Sequence, residues 1–318
     1  MVLSEKTVLL IAGGGTLGTY TADELLQKGY DVDIICLEDK ISDNKHLFYY
    51  KEYATTEFLT KLFSEKHYNG IVNFIHHPDV EQYKPVHKLL CENTEHLIFL
   101  SSYRVYADLE HPVTENAPML LDVSNDGDFL KNEKYAISKA KCEKFIRSET
   151  AFKNWTIVRP VISFSERRLD IVVQSGHNVI NLTKAGKAIP LPAASRYLTA
   201  GLDWAGNSGK LIANLLFKES ATGEAYTISS AQNITWDEVA QYYTDLIGAR
   251  FEWVTTEEFK ELYPQYKTNP YTLIYDRLFD RKIDNTKVLK ATGLNKDSFT
   301  PIKKGIEIEL AKLTQTVI

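Results

Sequence analysis

Two rhythms alternate along the first half of the chain. Short, mainly apolar runs occur at 7–12, 32–37, 70–75, 97–101 and 155–159, the first of them continuous. Between them, at 19–28, 57–66, 80–92 and 133–147, apolar residues recur every three or four positions. The runs have the length and hydrophobicity of strands buried on both faces, and the intervening segments have helical spacing. Gly29 gives the first helix a normal stop, and Pro160 ends the last of these strands. Strands separated by helices of this size predict βαβ units, a parallel sheet, and right-handed crossovers that cover both faces. The expected fold class is α/β, a doubly wound parallel sheet.

After Pro160 the pattern loosens, and residues 161–204 show no clear period. A helix at 207–217, a strand at 224–228 and a helix at 235–247 follow; the last opens on Thr235 with Glu238 three residues on, a capping-box signal. The expected organisation is a nucleotide-binding domain over 1–165, to which 205–232 returns. A smaller C-terminal substrate-binding region would comprise 166–204 and 233–318.

Length, charge and cysteine content narrow the class further. At 318 residues the chain can form one large domain or two that share an interface. A net charge of −5 gives no electrostatic reason to expect nucleic acid or an anionic membrane as partner. The first apolar run is too short for a signal peptide or a span, and no other segment reaches spanning length, so a cytoplasmic protein is expected. Cys36, Cys91 and Cys142 lack metal-ligand spacing and read as reduced, buried thiols; no metal site is expected.

The first strand runs directly into Gly13-Gly14-Gly15-Thr16-Leu17-Gly18, and a helix follows. Strand, glycine loop and helix N-terminus together form the G-x-G-x-x-G context of a Rossmann fold. Glycines let the backbone approach a pyrophosphate, whose charge the free N–H groups and the helix dipole stabilise. Gly13, Gly15, Thr16, Leu17 and Gly18 are therefore cofactor-binding candidates. Where the second strand should meet the adenosine ribose the chain places Cys36, then Leu37 and Glu38; no basic residue occurs before Lys40. A carboxylate there favours NAD over NADP, provided the strand runs two residues longer than usual. NADP stays open.

Tyr135-Ala-Ile-Ser-Lys139 is Y-x-x-x-K, a spacing that chance alone supplies in a chain with 18 Tyr; a second copy stands at Tyr263 and Lys267. Context separates the two. Tyr135 and Lys139 lie four apart on one face of a long helical pattern that follows a strand ending in Ser101-Ser102. Tyr263 precedes a proline in an irregular segment and reads as a surface or packing tyrosine.

Phe99-Leu-Ser-Ser-Tyr-Arg-Val-Tyr106, Tyr135-x-x-x-Lys139-x-x-x-Glu143 and Val158-Arg159-Pro160, in that order, resemble the extended short-chain dehydrogenases. More narrowly, they are similar to the NAD-dependent epimerase/dehydratase family, which includes nucleotide-sugar epimerases. Asp203-Trp-Ala205 and residues 282–294 extend the likeness to most of the chain. The resemblance implies an NAD-dependent oxidoreductase or isomerase. In it Tyr135 exchanges a proton with a substrate hydroxyl, Ser102 positions the same oxygen, and Lys139 favours the phenolate and holds the nicotinamide ribose. It adds Ile75, His76, Ser101 and Pro160 to the cofactor site, with His77 open to a part in it. Ala12 stands at the family's first loop glycine, and Gly13 is expected to serve in its place.

A nucleotide-sugar substrate needs cations for its diphosphate. Arg196, seven residues before Asp203, is the first candidate; Arg277 or Arg281 is the second, and Tyr103 is placed at the substrate. Tyr103 and Arg104 occupy the positions where dehydratases carry an acid pair, which favours an epimerase or a dehydrogenase/reductase. Other hydroxyl or carbonyl compounds remain open as substrates. So do a homodimer and the alternative of a non-catalytic NAD(P)-binding sensor or scaffold.

Overall fold

The computed structural model of the chain describes residues 6–315. Its central sheet has seven strands: β1 (Thr7–Ile11), β2 (Asp31–Cys36), β3 (Leu47–Lys51), β4 (Tyr68–Asn73), β5 (Thr94–Leu100), β6 (Trp155–Pro160) and β7 (Glu224–Ile228). All pairings are parallel, and the spatial order is 7-6-5-4-1-2-3. Chain order therefore reverses between β1 and β4, which opens a crevice at the carboxyl ends of those strands. This is a Rossmann fold.

The apolar runs follow from burial on two sides. In β1, Val8 and Leu10 face helices α1 (Thr16–Gln27) and α5 (Ala205–Leu215), through Ala22, Leu25, Leu211, Ile212 and Leu215. Leu9 and Ile11 face the opposite layer, formed by α2 (Thr56–Glu65), α3 (Val80–Glu92) and α4 (Tyr135–Ser148), through Leu59, Leu62, Tyr83, Leu90, Cys142 and Ile146. Helix α3 continues through Pro85. Helix α4 begins at Tyr135 because the Glu133 carboxylate accepts from the backbone N–H groups of Ala136 (2.6 Å) and Ile137 (3.2 Å), two of the unpaired donors of its first turn.

Several elements escape the sequence pattern. Strand β3 pairs with β2 from Val32↔Leu47 to Cys36↔Lys51; it is an edge strand that carries an apolar run, Leu47–Tyr50, with Phe48 exposed, and it is absent from the strands expected from the sequence. In 161–204, the three-residue strands Ile162–Phe164 and Leu202–Trp204 pair in parallel, and Ile189–Pro192 pairs with Phe251–Val254. Strands so short leave no period to read. They join α6 (Trp236–Ile247), which carries the expected Thr235–Glu238 capping box, around a third core that includes Tyr103, Leu191, Trp236, Tyr243 and Ile306. All three cysteines are buried free thiols. No described helix is long and apolar enough to cross a membrane.

In the turn out of β1 the left-handed backbone conformation falls on Ala12 (φ 56°), a position where the chain carries no glycine. An L-residue there carries a strain of roughly 1 kcal/mol that glycine avoids, partly offset by the freedom glycine gains when unfolded. Ala12→Gly should therefore match or exceed the wild-type stability by up to about 1 kcal/mol. A denaturant titration that found it clearly less stable would refute the strain account.

Candidate active site

The glycine loop lies at the crevice. A side chain on Gly18 would put its first carbon 2.2 Å from the Gly13 carbonyl oxygen, and one on Gly13 would reach 2.6 Å from Leu10. These two glycines let α1 start tight against β1. At Gly15 nothing lies within 4 Å of such a carbon, so its backbone faces open space at the helix N-terminus.

Cavities lie on both sides of the loop, sharing Ala12 and Gly15. The smaller, about 390 Å³, is lined by Cys36, Leu37, Glu38, Tyr53 and Ile75 among others. β2 stops at Cys36, but Glu38 needs no longer strand to reach the loop: its carboxylate would lie 2.7 Å from a side-chain carbon on Gly14. Arg167 and Lys40, which the sequence did not single out, both donate to the Gly14 carbonyl at 3.0 Å, and Arg167 also meets Glu38 at 3.3 Å. Ser165 joins Thr16 hydroxyl to hydroxyl at 2.9 Å, so the segment after β6 is fastened across the start of α1.

The larger cavity, about 440 Å³, brings together Gly15, Thr16, Leu17, Gly18, Ser101, Ser102, Tyr103, Tyr135, Pro160 and Arg277 from the residues singled out in the sequence. It adds Arg104, Arg168 and Asp276. Sequence signals for two of these existed: Arg104 lies inside the Ser-Ser-x-x-Val-Tyr motif, and Asp276 adjoins Arg277.

Lys139 lies behind the wall. Its ammonium is 5.9 Å from the centroid of the Tyr135 ring and donates to the carbonyls of Ile75 (3.3 Å) and Leu100 at the strand ends. Burial pulls this amine down to about 8. His76 packs on Tyr135, with ring centroids 5.0 Å apart, and bonds the Ser138 hydroxyl at 2.7 Å; burial first, and then the Lys139 charge, keep its pKa below the usual histidine range. His77 turns away onto Asn73 and Tyr83, and burial lowers it to about 4.

What fixes Tyr135 is a buried ion-pair network. Glu143, two turns further along α4, faces Arg159 of β6, and both side chains are fully buried. Arg159 donates from Nε to both carboxylate oxygens (2.9 and 3.1 Å) and from Nη2 at 2.5 Å. Ser101 Oγ donates to the same carboxylate, while Arg159 Nη1 reaches Tyr106 Oη at 2.8 Å and the Glu115 carbonyl at 3.0 Å. Tyr106 in turn meets Thr227 of β7 at 2.7 Å. The motif residues are thus one structural unit that locks α4 to the ends of three strands.

Among the arginines, Arg277 is fully inside. It donates to the Val172 carbonyl (2.6 Å) and Tyr103 Oη (3.2 Å), and it pairs with Asp276. Arg281 lies behind the wall, donating to the Tyr106 carbonyl at 3.0 Å. Arg196 is not brought to the cavity: Asp237 accepts from its Nε at 2.9 Å and it lies over Tyr197 and Trp253. Counting back from Asp203 cannot foresee that pairing, because it assumes the course of an irregular loop. Tyr263 packs on Phe259, and Lys267 pairs with Glu261.

The NAD dependent epimerase/dehydratase family model matches residues 9–191, more than half of the chain. The protein belongs to this family. The cofactor is therefore NAD, and the glycine cradle between two cavities fits a dinucleotide. A search of curated proteins finds no match. Among solved structures, an epimerase of Methanothermobacter thermautotrophicus superposes with TM-score 0.73 at 15% identity, over 98% of this chain and 93% of that one. The UDP-glucuronic acid 4-epimerase of Bacillus cereus, solved with UDP-glucuronic acid and NAD, gives 0.69 at 15%, over 98% and 99%. The UDP-glucose 4-epimerase of Thermotoga maritima, solved with UDP-glucose, gives 0.68 at 14%, over 98% and 100%.

Two outcomes follow. Glu143→Ala strands a buried guanidinium and should cost about 3–5 kcal/mol in chemical unfolding; a loss under about 1 kcal/mol would show that the network is dispensable. Lys139→Met should stabilise the nucleotide-free protein at pH 7. The folded state releases this proton near 8 and the unfolded chain near 10.5, so the penalty is whole below pH 8 and fades as pH rises toward 10.5. The advantage of the variant should shrink over that window, and a pH-independent difference would refute the assignment.

Proposed function

We propose that the protein is an NAD-dependent epimerase of the extended short-chain dehydrogenase type, working at a hydroxyl-bearing carbon of a nucleotide-sugar in the cytoplasm. The observation that carries this reading is the meeting of Ser102, Tyr135 and the glycine loop on one cavity. NAD, when bound, supplies the hydride acceptor; Gly15, Thr16 and Gly18 would hold its pyrophosphate, and Cys36 and Glu38 its adenosine side. Ser102 Oγ, which accepts from the Arg104 backbone N–H at 3.2 Å, is turned so that its own proton is free to position a substrate oxygen. Tyr135 takes the proton of that hydroxyl and later returns it. The Lys139 ammonium, 5.9 Å from the centroid of the Tyr135 ring, places a positive charge beside that ring.

The region formed by 166–204 and 233–318 supplies the substrate side of the cavity through Arg168, Asp276 and Arg277. Family membership and the sugar-nucleotide epimerases among the fold neighbours support the substrate class.

Tyr135→Phe should lower turnover by at least about 100-fold, the usual contribution of a positioned acid–base group, with NAD affinity unchanged. Preserved turnover would remove Tyr135 from the proton transfer. Nicotinamide fluorescence with NADH and NADPH, together with assay of nucleotide retained through purification, tests the rest. Tightly retained NAD supports an epimerase, which recycles its cofactor; free exchange would point to a dehydrogenase or reductase.

A further inference from the structure

Arg104 is a mostly buried cation of the cavity wall whose Nε has no hydrogen-bond acceptor. It stands two residues beyond Ser102, and its guanidinium lies 5.3 Å from the centroid of the Tyr135 ring. A guanidinium has five N–H donors in a planar fork. Arg104 uses only Nη2, toward Glu133 at 3.3 Å and Thr272 at 3.4 Å, both long for charge-assisted bonds. Its Nε is buried without a hydrogen-bond acceptor.

The carboxylates around it are committed elsewhere. Glu133 caps α4 through Ala136 and Ile137. Asp276, 3.4 Å from Arg104 Nε, accepts from Tyr103 Oη and pairs with Arg277. Burial alone would push the Asp276 carboxyl up, but Arg277, Arg104 and Arg281 outweigh it and hold the group below the usual carboxylate range. Arg277, by contrast, is held by Val172, Tyr103 and Asp276. The guanidinium beside the reacting tyrosine is thus flanked by two carboxylates at long range, 3.3 and 3.4 Å, both shared with other donors, and it hydrogen-bonds only through Nη2.

We propose that the substrate carries a carboxylate beside the carbon whose hydroxyl Tyr135 deprotonates, and that Arg104 binds it from the same wall as Ser102. This rests on the hydride-transfer reading above and adds a substrate class, an acidic sugar in preference to a neutral one. Arg104 is then the residue that sets specificity: a site whose buried donors are only weakly paired disfavours an analogue lacking the acceptor.

The test uses the NAD-loaded protein and a matched pair, UDP-glucuronic acid and UDP-glucose, which differ at one carbon as carboxylate or hydroxymethyl. The wild type should favour the acid in kcat/KM by on the order of 30-fold, the usual range for a charge-assisted contact. Arg104→Gln should shrink the preference to about threefold or less, mainly through KM, and Arg104→Lys should restore part of it. Equal turnover of the two sugars, a preference for the neutral one, or a preference that survives Arg104→Gln overturns the proposal.

Thermal unfolding with malonate as a probe, against chloride at equal ionic strength, separates this proposal from the broader reading. If neither sugar reacts but malonate stabilises the wild type and not Arg104→Gln, the anion site stands and the nucleotide-sugar assignment fails. If neither sugar reacts and malonate gives no Arg104-dependent stabilisation, the proposal falls too.

Discussion

The active-site wall depends on one buried ion pair. Glu143 and Arg159 are each excluded from water, and a lone charge in either place would cost several kcal/mol. Mutual pairing removes that penalty only in a narrow geometry, and the geometry is what matters for function. Arg159 is fixed in β6, Ser101 at the end of β5 and Tyr106 just beyond it, while Glu143 rides on α4. Satisfying all four groups leaves α4 little freedom to rotate or slide. Tyr135 and Lys139, at eight and four residues before Glu143 on the same helix face, are thereby aimed at the strand ends where Ser102 lies.

A similar economy governs the cofactor side. The crevice exists because the chain leaves β1 in one direction and returns to β4 on its other side, so the space above the loop is not filled by a crossover. Tight approach of α1 to β1 needs glycine at 13 and 18, while the sharp exit from β1 falls on Ala12 and is held by the surrounding sheet. Arg167 and Lys40 grip the Gly14 carbonyl, and Ser165 grips Thr16. The loop is therefore braced from both the β2 side and the C-terminal region.

Burial has a different effect on each titratable group near the cavity. Lys139 loses hydration and its proton becomes easier to release, whereas Asp276, equally buried, stays ionised because three guanidiniums surround it. Both outcomes follow from which charges share the dry space. That distribution leaves Arg104 with donors to spare next to Tyr135.

The sequence by itself determined what depends on neighbours close along the chain. Buried strands need mainly apolar runs and a helix face needs its three-to-four spacing, so β1, β2, β4, β5, β6 and the helices between them were legible. The glycine loop, the Tyr135–Lys139 spacing and the Thr235 cap were legible for the same reason. Edge strand β3, although it carries the apolar run Leu47–Tyr50, was passed over, and the short strands after Pro160 were not legible because three-residue strands impose no such pattern. Tertiary structure alone decided which side chains share a space across long separations. It placed Arg104 with Asp276, turned Arg196 to Asp237 instead of the cavity, and let Glu38 reach the loop from a strand that ends at Cys36. Such pairings are set by the paths of loops and by competition for partners, and neither is written in local spacing.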